Sequence, residues 1–390
     1  MSVSVMTTSD PFDWVPLSDA AQANQIASYD QMRRRCPVAR SEALHWSLLR
    51  HADVLEVLGD PDTYSNAASQ YRSVPNGMDP PEHDVYRVLI EPFFSAEVIR
   101  DFEPACRRIA QQCVAALPRG EPVEMVVRLA SEYALQVQTA FMGWPVQLHE
   151  PLRQWVLRSQ HAVRSEDREA SAEVAMEFDG YIRAILAQRR AAGRAGEAGD
   201  VTDRLMALRI DGELLPDEDI VSIVRNWTVG ELGTIVACVA ILAHHLASRP
   251  ALQTMLRQTP GQLPAAIDEI LRLDAPLIAN RRVARRDAVV GGRQIAAGER
   301  ITVLWASANR DEAVFGDPDE IRLDRDPSLN LLYGAGLHVC PGAPLARLEL
   351  DLICEALLTG TRSLEPVPGA PAQRAAYPAG GYSRLLLQLA

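Results

Sequence analysis

Residues 333–342 read Tyr333-Gly334-Ala335-Gly336-Leu337-His338-Val339-Cys340-Pro341-Gly342, three glycines and a proline around one cysteine. From Ala343 onward, leucine and isoleucine recur at helical spacing, which predicts a helix that begins about two residues after the cysteine. The free N–H groups and the positive end of such a helix stabilise a thiolate. Glycine also lets a flat ligand approach the main chain closely. The stretch therefore predicts a stiff loop that presents a cysteine thiolate.

This loop resembles the haem-binding loop of the cytochrome P450 monooxygenases, an aromatic residue followed by Gly-x-Gly-x-His-x-Cys-x-Gly. A buried core cysteine on a glycine-rich turn is the alternative, and the glycine and histidine spacing makes it a minor one. The family usually has Phe where this chain has Tyr333, whose hydroxyl would need a partner if buried. The resemblance implies that the iron ligand is Cys340 and that the remaining haem contacts of the loop come from His338, Tyr333, Gly334 and Gly342.

A proline-rich turn at residues 79–83 predicts the start of a helix on which His83 and Arg87 share one face. A surface pair would have the same spacing. The segment resembles the family's Asp-Pro-Pro-x-His-x-x-x-Arg, whose His and Arg contact a haem propionate, and this implies that role for His83 and Arg87. The resemblance likewise makes Arg282 a propionate ligand, with a surface arginine as the alternative.

Residues 214–248 predict one apolar helix of about thirty residues, roughly 50 Å long, which would cross the whole molecule. Gly230 and Gly233 lie inside it, where each costs about 1 kcal/mol relative to alanine. The two glycines indicate close approach of another group, or else a tight helix crossing.

The family's long-helix threonine corresponds to Thr234, but its usual acidic neighbour is replaced by Gly233. The acid–alcohol pair that relays protons during dioxygen activation is therefore incomplete. Glu231 lies one turn before Thr234 on roughly the same face and could reach the relay through water. A structural carboxylate paired with an arginine is an equally good interpretation of Glu231.

Glu269 and Arg272 lie three residues apart on a predicted amphipathic helix, a spacing typical of an exposed ion pair worth a few tenths of a kcal/mol. In context they resemble the family's Glu-x-x-Arg, a structural pair beneath the haem loop that a further basic residue completes. Residues 317–321 depart from the common Phe-containing pattern, so either Arg322 or Arg325 could be that residue.

The composition excludes several activities. All 39 basic residues are arginine, because the chain contains no lysine, whereas Schiff-base enzymes and Walker-type phosphate loops both need one. A formal net charge of −12 without a long basic tract argues against nucleic-acid binding. The first thirty residues contain no apolar run long enough for a signal peptide or a membrane span, so we expect no membrane attachment. No Cys-x-x-Cys pair occurs, which predicts neither a zinc site nor a disulfide framework and favours the cytoplasm.

No linker divides the sequence, which predicts a single domain over residues 1–390. Motifs that match the family run from Asp79 to Arg347. The resemblance implies a mainly α fold with small β-sheets and haem b held between the long helix and the Cys340 loop.

The activity implied is insertion of one oxygen atom from dioxygen into a small to medium, mainly apolar organic substrate. Electrons would come from a ferredoxin or flavodoxin with its reductase, since the chain carries no flavin or iron–sulfur segment. Peroxide-driven oxygenation and ligand binding without turnover remain as alternatives. The substrate pocket is expected at the loop 64–78, at the C-terminal turn 380–382 and at Trp227, Gly230, Leu277, Ile278, Asn280 and Tyr382.

Overall fold

The α-helices are the most abundant secondary structure in the computed structural model, which describes residues 12–69, 71–164, 168–194, 196 and 199–390. They are α1 Asp19–Ala23, α2 Gln25–Arg35, α3 His51–Gly59, α4 Glu82–Ile90, α5 Ala96–Ala115, α6 Glu132–Met142, α7 His149–Arg164, α8 Arg168–Ala191, α9 Val201–Ala207, α10 Asp217–Val229, α11 Val236–Ser248, α12 Pro250–Gln258, α13 Leu263–Leu273, α14 Trp305–Ala308, α15 Glu312–Phe315 and α16 Ala343–Gly360. Two π-helical segments span Val126–Ser131 and Gly230–Ile235. Short 3₁₀ turns lie at Glu91–Phe94, Val146–Leu148, Pro260–Gln262, Pro327–Leu329, Leu331–Tyr333 and Gly336–His338.

The strands are short and form small sheets. They are β1 Val38–Ser41, β2 His45–Leu48, β3 Tyr64–Ser65, β4 Pro122–Glu124, β5 Arg209–Ile210, β6 Glu213–Leu214, β7 Ala279–Ala284, β8 Ala288–Val290, β9 Arg293–Ile295, β10 Arg300–Leu304, β11 Leu364–Pro366, β12 Gln373–Arg374, β13 Tyr382–Arg384 and β14 Leu386–Leu389. The largest sheet has the order β1-β2-β10-β7-β3, with β10 parallel to β2 and antiparallel to β7. A three-stranded sheet β11-β14-β4 and three hairpins complete the described strands. The prediction of a mainly α fold with small sheets is confirmed.

Helix α10, the π-helical segment and α11 form one continuous helix of 32 residues, Asp217–Ser248. It begins three residues later than predicted, because Leu214 pairs with Arg209 in a hairpin and Pro216 then precedes the first helical turn. In the described part of the chain, this helix alone has the length and apolar composition of a membrane span, but its apolar window is 67% buried inside the protein. It is therefore a core helix, as its apolar faces predict.

The loop at 333–342 is fixed at both ends. The Cys340 backbone N–H donates to the Tyr333 carbonyl at 2.9 Å, and α16 begins at Ala343, as the leucine spacing predicts. Gly336 has a φ of +68°, and a Cβ there would lie 2.5 Å from the Leu58 carbonyl oxygen at the end of α3. Glycine at this position therefore lets the loop pack directly against α3.

Candidate active site

A cavity of about 790 Å³ lies between the long helix and the loop at 333–342. Cys340 reaches it from the loop, Thr234 and Glu231 reach it from the long helix, and His83 and Arg87 reach it from α4. Further walls come from β7 and from the loop between β3 and α4. The structure thus brings together residues that the sequence places up to 257 positions apart.

The Cys340 thiol faces this cavity and is exposed to it, whereas the other cysteines are buried or half-buried. Cys238 also touches the cavity wall, but it is only 3% exposed. Burial within the protein raises the pKa of the Cys340 thiol, while the backbone N–H groups of Gly342 and Ala343 and the charge of Arg87 act in the opposite direction. These donors at the start of α16 suit a thiolate, the form in which cysteine binds a metal.

Two histidine rings meet beside the loop. His83 is fully buried, and its ring centroid lies 4.4 Å from that of His338. Neither Nε2 atom has a hydrogen-bond partner among the residues that the structure describes, although His83 Nδ1 lies 3.0 Å from a carboxylate oxygen of Asp84. Burial, with the nearby charges of His83 and Arg282, lowers the pKa of His338 to about 3. Both rings are therefore free to hydrogen-bond a group that occupies the cavity.

Arg282 is a buried cation without a counter-ion in the described part of the chain. It is 5% exposed, and the hydrogen bond that its guanidinium makes runs to the Arg281 carbonyl oxygen at 2.8 Å. No carboxylate lies within ion-pair distance among the described residues, and burial lowers its pKa to about 10 against the opposing charge of Asp79. Burial of an unpaired charge is energetically unfavourable, so the site is suited to bind an anion. Arg87 lines the same cavity but is already paired with Glu91 at 2.7 Å.

The loop residues Gly334 and Gly342 also line the cavity, and Gly334 has a φ of +75°, which side chains disfavour. The Tyr333 ring lies on the same wall, with the Arg347 guanidinium 4.7 Å from its centroid. Its hydroxyl is buried without a hydrogen-bond partner among the described residues, and burial raises its pKa. The partner that this hydroxyl would need is therefore not supplied by the described side chains.

Gly230 and Gly233 do not mark a tight helix crossing. A Cβ at either position would meet no atom within 4 Å, and Gly230 opens into the cavity. Both glycines lie in the π-helical segment Gly230–Ile235, which the sequence does not predict. Thr234 is half-buried and faces the cavity from the same segment.

Glu231 is 7% exposed and also touches the cavity, but no arginine pairs with it among the described residues. Instead its carboxyl group lies within hydrogen-bonding reach of Glu349 on α16, which is fully buried. Burial raises the pKa of Glu231 to about 8 and holds that of Glu349 well above its usual range. Glu349 was not predicted as a site residue. The sequence feature that could have identified Glu349 is its position four residues after Leu345 and four before Ile353, which places it on the apolar face of α16.

The Glu269–Arg272 pair is buried, so its interpretation as an exposed pair is wrong. Arg272 Nε lies 2.8 Å from one Glu269 oxygen, and Arg325 Nε lies 2.7 Å from the other. Arg322 offers Glu269 only its backbone N–H, at 3.2 Å, while its side chain pairs with Asp324. Arg325 therefore completes the group, and it ties α13 to the segment that leads into the Cys340 loop.

Four of the six expected pocket residues outside the loops line the cavity, namely Trp227, Gly230, Leu277 and Asn280. Ile278 does not, because its side chain is 5% exposed and packs into a separate core cluster with Met32 and Leu304.

Tyr382 is also outside the cavity lining, with its ring against His244 and Arg374. The turn that carries it packs closely on the long helix, since a Cβ at Gly381 would lie 3.3 Å from the Ala237 carbonyl oxygen. Tyr377 and Pro378 line the cavity in its place.

Comparison with known proteins agrees with this geometry. The family model described as cytochrome P450 matches residues 262–362. The nocardicin C N-oxygenase of Nocardia uniformis subsp. tsuyamanensis is 31% identical over 378 residues, which cover 91% of this chain and 92% of that protein. The chain belongs to the cytochrome P450 family.

Other cytochromes P450 match over similar lengths. The cyclomarin C epoxidase CymV of Salinispora arenicola is 28% identical over 357 residues, covering 87% of this chain and 89% of the epoxidase. The crystal structure of CYP109E1 from Bacillus megaterium with testosterone superposes with a TM-score of 0.83 at 25% identity, covering 94% of this chain and 99% of the other. This cytochrome P450 is accordingly a haem-containing monooxygenase that takes electrons from redox partners and acts on an organic substrate.

Proposed function

We propose that this cytochrome P450 holds haem b in the 790 Å³ cavity, with Cys340 as the thiolate ligand of the iron, and oxygenates a small to medium, mainly apolar molecule beside it. One observation carries the proposal: an exposed thiol, a buried guanidinium and two histidine nitrogens all face the same cavity, and the guanidinium and the nitrogens have no partner among the described side chains. These groups fit a flat dianionic cofactor with one ligand-accepting metal. When bound, a haem with a thiolate ligand supplies the cleavage of dioxygen and the transfer of one oxygen atom.

The chain's own residues hold and orient this group. Arg282 supplies a counter-ion for a propionate that would otherwise be a buried charge, and His83, His338 and Arg87 donate hydrogen bonds to the same region. In the cysteine loop, Gly334 and Gly342 leave room for the cofactor beside Cys340, and the ring of Tyr333 forms part of the same cavity wall.

The residues that deliver protons lie on the long helix. The Thr234 hydroxyl lies on the cavity wall and can donate a proton to dioxygen. Glu231, one turn away on the same helix, supplies protons through water. Gly233, where the family has an acid, contributes no side chain, so in this proposal the carboxyl group of Glu231 takes the place of that acid.

The substrate occupies what the haem leaves of the cavity, which suits a small to medium molecule. Trp227 and Leu277 supply apolar walls, whereas Asn280 and Asn226 supply polar points for orientation. A drug-sized, largely apolar molecule with one or two hydrogen-bonding groups fits this surface.

We further propose a single domain over residues 1–390, a cytoplasmic location, and a ferredoxin or flavodoxin with its reductase as electron donor.

The assignment of Cys340 is tested by the reduced, carbon monoxide-bound spectrum of the holoenzyme. Cys340→Ser should lose the red-shifted thiolate signature and all oxygenation, because a hydroxyl does not replace a thiolate as the electron-releasing ligand. Cys238→Ser is the matched control, since Cys238 touches the same cavity and should be replaceable. A normal spectrum and normal turnover in Cys340→Ser would refute the proposal.

The same preparations distinguish the mode of turnover. Product formation that depends on dioxygen and a reductase supports the monooxygenase. Product formed with peroxide but not with dioxygen and reductase would replace it with a peroxide-driven enzyme. A ligand-induced spin-state shift without any product would indicate binding alone.

A further inference from the structure

An ionic cluster outside the cavity lining joins three parts of the chain. It consists of Asp274 directly after α13, His245 on α11 and Arg374 on β12. We propose that this cluster positions the wall of the substrate space formed by residues 275–280 and 375–382, so that Asp274 determines which ligands fit without touching them. The inference rests on the function proposed above, since the wall selects ligands only if the cavity holds them.

The two segments of this wall are packed directly against each other. Leu277 of the first segment pairs with Ala379 of the second in an isolated antiparallel β-bridge. A Cβ at Gly380 would overlap the Ala275 carbonyl oxygen, so no side chain fits between the segments there. Leu277 lines the cavity from the first segment and Tyr377 lines it from the second. A shift of one segment therefore moves the surface that the other presents to a ligand.

The Asp274 carboxylate is the centre of the cluster. Arg374 Nη1 lies 2.6 and 2.7 Å from its two oxygens, and His245 Nε2 lies 3.3 Å from one of them. The Arg249 guanidinium lies 2.8 Å from His245 Nδ1. Because a guanidinium can only donate, Nδ1 accepts this bond and the ring proton lies on Nε2, which donates to Asp274. Both donors are thus directed at one carboxylate.

This carboxylate is charged although it is only 3% exposed. Burial acts to raise the pKa of Asp274, but the hydrogen bond from His245 and the charge of Arg374 outweigh it and lower the pKa below its usual value. Asp274 is also the one ion-pair partner of Arg374 among the described residues. Without Asp274, the partly exposed Arg374 side chain would be free to turn towards solvent.

The cluster lies where it can control both segments. Asp274 directly precedes the first segment and Arg374 directly precedes the second, so their ion pair holds the two starting points together. His245 fixes this pair to the long helix, on which the second segment also packs, because a Cβ at Gly381 would lie 3.3 Å from the Ala237 carbonyl oxygen. The position of the wall relative to the long helix therefore depends on the cluster.

Two ligands of different size test this in the holoenzyme. Imidazole and 4-phenylimidazole both bind a haem iron through nitrogen, but only the second extends a ring into the substrate space. In Asp274→Asn and Arg374→Gln, the affinity for 4-phenylimidazole should fall by about tenfold relative to that for imidazole, as expected when a buried ring loses part of its apolar contact. The carbon monoxide-bound spectrum should stay unchanged. Both Kd values are measured by titration of the haem absorbance.

A conservative variant and a matched control separate positioning from general stability. Arg374→Lys should retain most of the wild-type ratio of the two Kd values, because one nitrogen of Arg374 contacts both carboxylate oxygens and an ammonium group can take its place. Asp203→Asn is the control, since Asp203 is 2% exposed and pairs with the buried Arg189 at 2.6 Å, and neither residue lines the cavity. It should lower the thermal midpoint but not change the ratio.

Hydrogen–deuterium exchange reads the wall without the haem. The Ala375 N–H, which donates to the Gly381 carbonyl oxygen at 3.0 Å, should exchange faster in Arg374→Gln than in the wild-type protein. Unchanged exchange would overturn the proposal even if the Cys340 assignment holds, so the two failures are distinguishable. A wild-type Kd ratio in Arg374→Gln, or an equal change of the ratio in Asp203→Asn, would overturn it as well.

Discussion

At the scale of single residues, Arg282 illustrates how an unsatisfied charge identifies a site. The neighbouring Arg281 is exposed, whereas Arg282 is buried with no carboxylate partner among the described residues. A guanidinium held in that state needs a partner that the described side chains do not supply, and a haem propionate is such a partner. Arg87 is less dependent on it, because Glu91 already pairs with its guanidinium.

Arg282→Ala should therefore release haem faster than wild type, by about tenfold or more, because a loss of about 1.4 kcal/mol already corresponds to a factor of ten. Arg281→Ala should change the rate little, and Arg87→Ala should have an intermediate effect. The rate is measured by transfer of haem to an excess of a haem-binding acceptor. Equal rates in Arg282→Ala and Arg281→Ala would show that Arg282 does not hold a haem propionate.

At the scale of elements, the long helix shows what the sequence could and could not predict. Its apolar faces and the absence of an internal proline predict Asp217–Ser248 to within three residues at its start. The π-helical segment at Gly230–Ile235 could not be predicted, since its hydrogen-bond register is set by the elements packed around it. The partner of Glu231 was missed for the same reason: Glu349 meets it only after two helices pack together.

The motif residues were easier to predict, because each motif keeps its residues close in sequence. The spacing of His83 and Arg87 puts them on one helix face, and the glycines around Cys340 fix the loop. The prediction that Ile278 and Tyr382 line the cavity is wrong, because a local sequence pattern does not tell which side of a strand or turn faces a cavity.

The long helix also carries a prediction about coupling. Thr234→Ala should divert electrons to hydrogen peroxide and lower product per electron by about tenfold or more, since a positioned proton donor contributes on the order of 10²–10⁴ in rate. Glu231→Gln should slow turnover with dioxygen more than turnover with added peroxide. Cofactor oxidation, peroxide release and product are measured together. Native coupling in both variants would show that protons arrive by another route, and would favour the peroxide-driven alternative.

At the scale of the whole molecule, one side of the cavity is tied to the long helix by contacts between residues about 150 positions apart. Arg72 Nε donates to the buried Asp219 carboxylate at 2.6 Å. The Val74 N–H donates to the Ser222 hydroxyl at 2.9 Å, and Asn226 returns a hydrogen bond to the Val74 carbonyl oxygen at 3.0 Å. These bonds hold the loop between β3 and α4 against the long helix at the cavity wall, and we expect them to open when a ligand enters.

Weakening the bond to Asp219 should therefore speed both directions of ligand exchange. Asp219→Asn keeps the shape of the side chain but removes the charge that attracts Arg72. The probe ligand 4-phenylimidazole should therefore associate with the protein and dissociate from it roughly tenfold faster, with a nearly unchanged Kd. Glu82→Gln is the matched control, because the Glu82 carboxylate also contacts Arg72, at 3.3 Å, but both side chains are about half exposed and such pairs contribute little. The rates are read by stopped-flow absorbance of the haem. If Asp219→Asn exchanges the ligand at the wild-type rate, or if Glu82→Gln accelerates it equally, the bond between the loop and the long helix does not control access.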